Sequence, residues 1–357
     1  YQKLIAVLSG LQSRAKLEES ASTMPQGREF YRHALHQTTT TELDAEAIYR
    51  LGLSEVKRIH TEMRAIIEQT GYQESLSDFF AQLQADPSMF FPQTTEGKQA
   101  YIDSAELVIK EIKARLPEMF SVMPSASIIV KPVEPLREQA SVGSAFYQPG
   151  SPDGSRPGVF YINTYNMSAM PKYALPTFAY HEGIPGHHMQ VAIAQELDNV
   201  PRFRRGANYA AYAEGWGLYA ELLPKEIGLY ADVYSDFGRL SAELWRACRL
   251  VVDTGLHDRR WSRKRAIDYL MDNSVTDRQK ATIAIERYIA FPSQATAYKI
   301  GMLKILELRQ QAKHQLAEQF DLREFHDVVL MNGALPLNIL EEMVNRWIDQ
   351  RLVKAKS

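Results

Sequence analysis

Residues Ala179–Gln190 read AYHEGIPGHHMQ, with three histidines and a glutamate inside the eight positions from His181 to His188. A zinc-binding H-E-x-x-H helix works because residues four apart share a face, so two imidazoles reach one ion while the glutamate between them activates water. Here that spacing is broken: Pro185 stands four positions after His181, Gly186 follows, and only then come His187 and His188. On a straight helix six positions turn a residue about 600°, leaving His187 roughly 120° away from His181, while His188 shares its face but lies about 10 Å further along. Pro185 has no N–H and clashes with the carbonyl four residues back, and Gly186 is the most permissive residue. A helix break or wide bulge is therefore expected, one that suits His187 as a ligand better than His188. Glu182 directly follows His181, where a water-activating base belongs.

Outward from this stretch, the sequence alternates two kinds of texture. Before it, SASIIVKPVEP, SAFYQPGSPDGS and RPGVFYINTYN carry β-branched and aromatic residues bounded by Pro, Gly and Asn. These predict a small twisted sheet over 127–166. Ahead of the sheet, apolar residues at three and four spacing predict helices over 41–69, 75–85 and 96–119, with a loop at 86–93. Behind it, helices are expected over 172–198, 207–223, 229–255, 262–272, 276–290, 294–319, 321–332 and 336–353. Asn332-Gly333 and Pro336 stop one of these and start the next. The fold class is mainly α, with one small β-sheet preceding the zinc-site helix. It divides into a helical N-terminal region, 1–124, and a catalytic region, 125–357.

Composition narrows the function. With 357 residues, 45% hydrophobic and 24% charged, the chain can bury a large core. A net charge of −2 gives no overall attraction to nucleic acid or to an anionic membrane. The one basic cluster, DRRWSRKR at 258–265, reads as a solvated helix start. A single cysteine, Cys248, excludes an internal disulfide and a thiolate cluster, so a metal would need His and carboxylate ligands. His33, His36 and His60 are scattered and read as surface or core histidines. No stretch has the ~20 apolar residues of a membrane span. The chain opens YQKLIAVLSG without an initiator Met, which reads as a processed or trimmed start.

Catalytic zinc commonly keeps three protein ligands and one position for water. The third ligand is sought in AAYAEGWGLYAELL, where Glu214 and Glu221 are seven apart and share a helix face. Glu214, between Ala213 and Gly215, has the steric freedom to approach an ion. Glu221 reads either as a surface glutamate or as support for a ligand. Tyr298, Tyr288 and His257 are candidates to donate to a developing oxyanion, each with the alternative of a packed residue whose polar tip is satisfied. Arg249 lies four before Asp253, so an intrahelical ion pair is the default and docking of a substrate carboxylate the sharper option. Gln294 is a further substrate-binding candidate.

Four segments in order, HEGIPGHHMQ, YAEGWGLYAE, RLVVDTGLHDRRW and PSQATAYKIG, resemble the bacterial family known as domain of unknown function 885. The likeness covers roughly Ser127 to Ile348, and the family is regarded as related to the helical gluzincin metallopeptidases. The resemblance implies His181, His187 and Glu214 as zinc ligands, with Glu182 as general base. His188 and Glu221 stand as lesser ligand candidates. It further implies an extracytoplasmic protein, periplasmic or lipid-anchored, against a cytoplasmic alternative, and a longer N-terminus than this chain shows. One departure is visible: the family usually has Pro-Gly-Gln-Ala where this chain has Pro292, Ser293, Gln294 and Ala295. The expected function is zinc-dependent hydrolysis of peptide or related amide bonds through metal-activated water. The alternatives are a zinc-stabilised helical binding module without turnover, or a hydrolase of a non-peptide amide.

Overall fold

The computed structural model describes residues 1–12, 20–138, 143–198 and 200–354, and the architecture is mainly α. The first helices are α1 (Gln2–Gln12), α2 (Gly27–Thr39), α3 (Ala45–Glu68), α4 (Leu76–Ala85) and α5 (Thr95–Arg115). Their starts follow from local chemistry: Asp44, Ser75 and Thr94 each accept a hydrogen bond from a first-turn N–H, satisfying donors that have no partner inside the helix. After α5 come the strands β1 (Ile128–Pro132), β2 (Ala145–Gln148) and β3 (Gly158–Ile162). They form one sheet in the order β1-β3-β2, with β1 parallel and β2 antiparallel to the central β3. Of the expected sheet region, 139–142 lie outside the described residues.

The predicted helix over 172–198 is interrupted. A short helix α6 (Leu175–Phe178) passes into a wide π turn at Ala179–Gly183, Ile184 is extended, the Ile184–Pro185 bond is cis, and α7 starts afresh at His187–Glu196. The later helices are α8 (Ala210–Ala220), α9 (Val233–His257), α10 (Arg263–Asn273), α11 (Arg278–Ala290), α12 (Ala297–Leu316), α13 (Leu322–Leu330) and α14 (Leu337–Lys354). Gly333 takes a left-handed φ of 65° in the turn between α13 and α14, the stop expected from its sequence. Ser262 caps α10, so the basic cluster is a solvated helix start; Arg259 and Arg265 stack on Tyr49 and Trp261. Cys248 is free and buried on α9.

Two apolar cores hold these elements. One gathers Tyr31, Ile109, Tyr180, Met189, Trp216 and Leu340; the other gathers Ile59, Phe79, Phe237, Val252 and Ile285. Each draws residues from both sides of residue 124. Helix α8 runs through the first core and is buried on nearly every side, as an almost uniformly apolar helix must be. Its Gly215 meets Gly301 of α12 so closely that a Cβ on either would come within 3 Å of the other helix's backbone. That approach brings Tyr298, one turn before Gly301, alongside the residues of α8.

Candidate metal centre

The π turn and the fresh start of α7 do what the broken spacing required. They bring His187, the first residue of α7, back beside His181: the two rings meet edge to face with centroids 4.7 Å apart. Wide π turns of this kind recur at functional sites. Across from them, α8 presents Glu214, Gly217 and Glu221 on one face, at spacings of three and four. Glu214 Oε2 lies 3.5 Å from His181 Nε2 and 3.4 Å from His187 Nε2. Gly217 makes room for the His181 ring, because a Cβ there would stand 2.7 Å from its Cε1. Glu221 Oε1 then accepts the His181 Nδ1–H at 2.7 Å. Trp216 Nε1 donates to the Pro185 carbonyl at 2.9 Å, tying α8 to the break itself.

One donor atom each from His181, His187 and Glu214 lies within 4.8 Å of the others. Two ligands of a tetrahedral ion, each ~2.1 Å from it, stand ~3.4 Å apart, so the two histidine–carboxylate separations fit such an ion. The donor set also fits: two imidazoles and a carboxylate suit zinc. Because His181 Nδ1–H is given to Glu221, its Nε2 is the nitrogen turned to the Glu214 side, an orientation that carboxylate–histidine pairs impose at zinc sites. Glu221 is 2% exposed, so the reading of it as a surface glutamate is corrected. Among the described residues its Oε2 has no hydrogen-bond partner.

The electrostatics point the same way. Burial alone would drive His181 to its neutral form, yet hydrogen bonds to Glu214 and Glu221 outweigh it and hold its pKa at about 10. Against the same burial, His181 and His187 keep Glu214 well below the usual carboxylate range. Two carboxylates facing two imidazoles thus concentrate demand for positive charge at one point. The cluster remains reachable, with the Glu214 side chain 25% and that of His187 15% exposed. Glu182 is partly exposed and contributes negative charge at His181, and its side chain has no hydrogen bond or ion pair with another described residue.

The other predicted residues divide. His188 belongs elsewhere: it accepts from Tyr147 of β2 at Nδ1 and donates from Nε2 to the Ala126 carbonyl, each 3.1 Å. Burial brings its pKa to about 4, so it is a neutral clamp between α7 and the sheet. Tyr298 stacks 6.5 Å from the His181 ring, beneath the Arg249 guanidinium at 4.6 Å. Tyr288 is buried, with its ring centroid also near the Arg249 guanidinium, at 5.7 Å. His257 has both nitrogens committed, accepting from Ala21 N–H and donating to the Tyr288 carbonyl, which makes it a packed residue. The Arg249–Asp253 ion pair does not form: Asp253 accepts instead from Tyr31 Oη at 2.6 Å and from Ser293 N–H at 3.0 Å. Gln294 sits half-buried in the 3-10 turn Gln294–Thr296 that leads into α12. Sequence reasoning passed over Gly217 and Arg246, though the small residues around Glu214 in AEGWG are a sign of close approach.

Comparison with known proteins fits this architecture. A solved structure described as "the putative lipoprotein from Colwellia psychrerythraea" is 40% identical, with a TM-score of 0.95 over 98% of this chain and 60% of that one. Another, described as a "putative lipoprotein of unknown function from Shewanella oneidensis", is 19% identical, with a TM-score of 0.71 over 96% of this chain and 63% of that one, and shares the fold. The chain therefore spans about three fifths of the length of these relatives. No curated protein matches it. The profile of the family described as "Bacterial protein of unknown function (DUF885)" matches residues 1–344, and the chain belongs to that family.

Proposed function

We propose that the protein is a zinc-dependent hydrolase of peptide or related amide bonds, with a site of the gluzincin type. The observation that carries this reading is the convergence of His181, His187 and Glu214 within 4.8 Å, with Glu182 beside them and not among them. A zinc ion held there would supply a Lewis acid that makes water nucleophilic near neutral pH. Glu182, unpaired and adjacent to a ligand, takes the proton from the attacking water and returns it to the leaving amine. Tyr298, next to His181, donates to the oxyanion that develops on the substrate carbonyl. The outer edge of β2 pairs with no described strand and packs beside the π turn, so an extended substrate can add there as a further strand. A closed structural site would need a fourth protein ligand, and His188 is held by the sheet instead. The lipoprotein description of the Colwellia relative supports an extracytoplasmic, lipid-anchored setting. No described helix is long and apolar enough to cross a membrane.

The decisive variant is Glu182→Gln, which keeps size and removes the base. Zinc content stays near one per chain, and hydrolysis of a diverse peptide and acyl-amide library falls by at least about a hundredfold. A variant that retains zinc and wild-type turnover overturns the mechanism. Zinc retention in both proteins with no turnover in either hands the site to the binding-module reading.

A further inference from the structure

Beside the candidate metal centre lies a wall of positive charge that the proposed chemistry does not use. Arg246 and Arg249 are three apart on α9 and share a face. Arg249 lies over Tyr298 at 4.6 Å and Trp245 at 6.0 Å, and Lys280 of α11 approaches the same Trp245 ring at 5.9 Å. Among the described residues Arg249 has no acid at ion-pair distance: Asp253, one turn along, is turned towards Tyr31 and Ser293, and the nearer partners of Arg249 are the Tyr298 and Tyr288 hydroxyls, with Glu214 acting from further off. Among the described residues the one acid at ion-pair distance from Arg246 is Glu221, at 3.7 Å, whose same oxygen already holds His181 at 2.7 Å, and Arg246 Nη1 donates to the Ala242 carbonyl. The Nε atoms of both arginines are buried and have no hydrogen-bond partner among the described residues. Asp277, near Lys280, caps the start of α11. A half-buried guanidinium with no acid at ion-pair distance is a ready partner for an anion that a ligand brings.

We propose that Arg249, assisted by Arg246, receives a free carboxylate of the substrate, so that the hydrolase cuts amide bonds one or two residues from a C-terminus. This rests on the hydrolase reading above. Arginine pairs with carboxylates through two parallel hydrogen bonds, which fixes position as well as charge. The reach is right. Tyr298 touches both sides, and with its two separations laid end to end Arg249 lies at most about 11 Å from the His181 ring, while each residue of an extended peptide advances ~3.5 Å. A tail of one or two residues spans that interval with the ~4 Å needed between a guanidinium and a carboxylate carbon. The rings of Tyr298, Tyr288 and Trp245 surround the guanidinium at 4.6, 5.7 and 6.0 Å, and the two tyrosine hydroxyls interact with it, which holds it in place for a carboxylate to pair with.

The test uses zinc-loaded protein and a pentapeptide library made twice, as free acids and as C-terminal amides. Wild type cleaves the acids near their C-terminus, and the amides at least about tenfold more slowly. Arg249→Gln keeps its zinc and melting temperature, loses most activity on the acids, and no longer discriminates acid from amide; Arg249→Lys recovers part of the difference. Binding to Glu182→Gln by calorimetry asks the same question without turnover. Acids bind at least about tenfold tighter than amides, and the double variant with Arg249→Gln abolishes the gap. Equal cleavage, or equal binding, of acids and amides by protein with Arg249 intact overturns the carboxylate site while leaving the hydrolase reading standing. No turnover with a preserved acid preference in binding overturns the hydrolase reading alone.

Discussion

The site depends on single atoms that a motif search does not see. Gly217 is the clearest: Glu214, Gly217 and Glu221 share one face of α8, and the missing Cβ lets His181 lie between the two carboxylates. Gly217→Ala pushes the ring off and is expected to lower zinc affinity by about tenfold or more without unfolding the protein, whereas His188→Ala keeps zinc; metal titration of both checks this. The residue types at the centre were legible, because histidines and carboxylates in apolar surroundings demand a partner. The partner of Asp253 was not, since Tyr31 lies 222 positions away and no periodicity links them. Ser293 shows how a local departure resolves. Its φ is 75°, a left-handed conformation that glycine adopts freely, which accounts for the family's glycine at this place. Serine compensates with its hydroxyl, bonded to Thr38 Oγ1 at 2.6 Å and placed 3.0 Å from the Ala34 carbonyl, which accepts from it. Ser293→Ala keeps the strain and loses both bonds, so it costs about 1 to 3 kcal/mol; Ser293→Gly loses the bonds but relieves the strain and costs less. Equal loss for the two in urea unfolding would show that backbone conformation plays no part.

At the scale of elements, long periodic helices with side-chain caps were readable to within a few residues, and the break at Pro185 followed from proline chemistry. Helices α1 and α2 were not read. Gln2–Gln12 buries no residue, and Gly27–Thr39 begins after Gln26, which has a left-handed φ of 55° and no capping side chain. The sheet was placed, but its strand order was not, since nothing in three short strands says which is central. Hidden too was the charge network that seats the start of α12. Lys299, fully buried beside Tyr298 in sequence, reaches Glu243 of α9 at 2.6 Å and Glu55 of α3 at 2.9 Å, and Arg58 pairs with both acids. Burial opposes ionisation of Glu243, yet Lys299, Arg58 and Arg239 outweigh it and hold its pKa at about 2. A folded-state pKa below the unfolded value of 4.5 contributes stability that is complete above about pH 4.5 and lost as pH falls towards 2. Lys299→Met leaves two buried acids short of a cation and is expected to cost about 3 kcal/mol at pH 7. Urea midpoints for wild type and variant should converge as pH drops from 4.5 to 2. A gap independent of pH would mean that the loss is one of packing.

For the whole molecule, the question is whether a metal holds the fold together or is held by it. The histidine-bearing break and α8 are already joined without one: they share the first core, Trp216 bonds to the Pro185 carbonyl, and His188 clamps α7 to the sheet. A chain that buries two such cores does not rely on an ion to fold, unlike a small zinc module. Zinc that binds only the folded state adds stability by mass action, about 2.7 kcal/mol at a free concentration a hundredfold above its dissociation constant. Spread over the unfolding entropy of a chain this long, that corresponds to a melting shift of about 3 to 4 °C. Chelation should therefore lower the melting temperature of the wild type by a few degrees and leave the transition cooperative. In His187→Ala, chelation should do nothing. Collapse of the transition on chelation would make the metal a structural element and move the balance towards the binding module. No shift in the wild type, with zinc supplied beforehand, would mean that His181, His187 and Glu214 do not hold zinc in the folded protein.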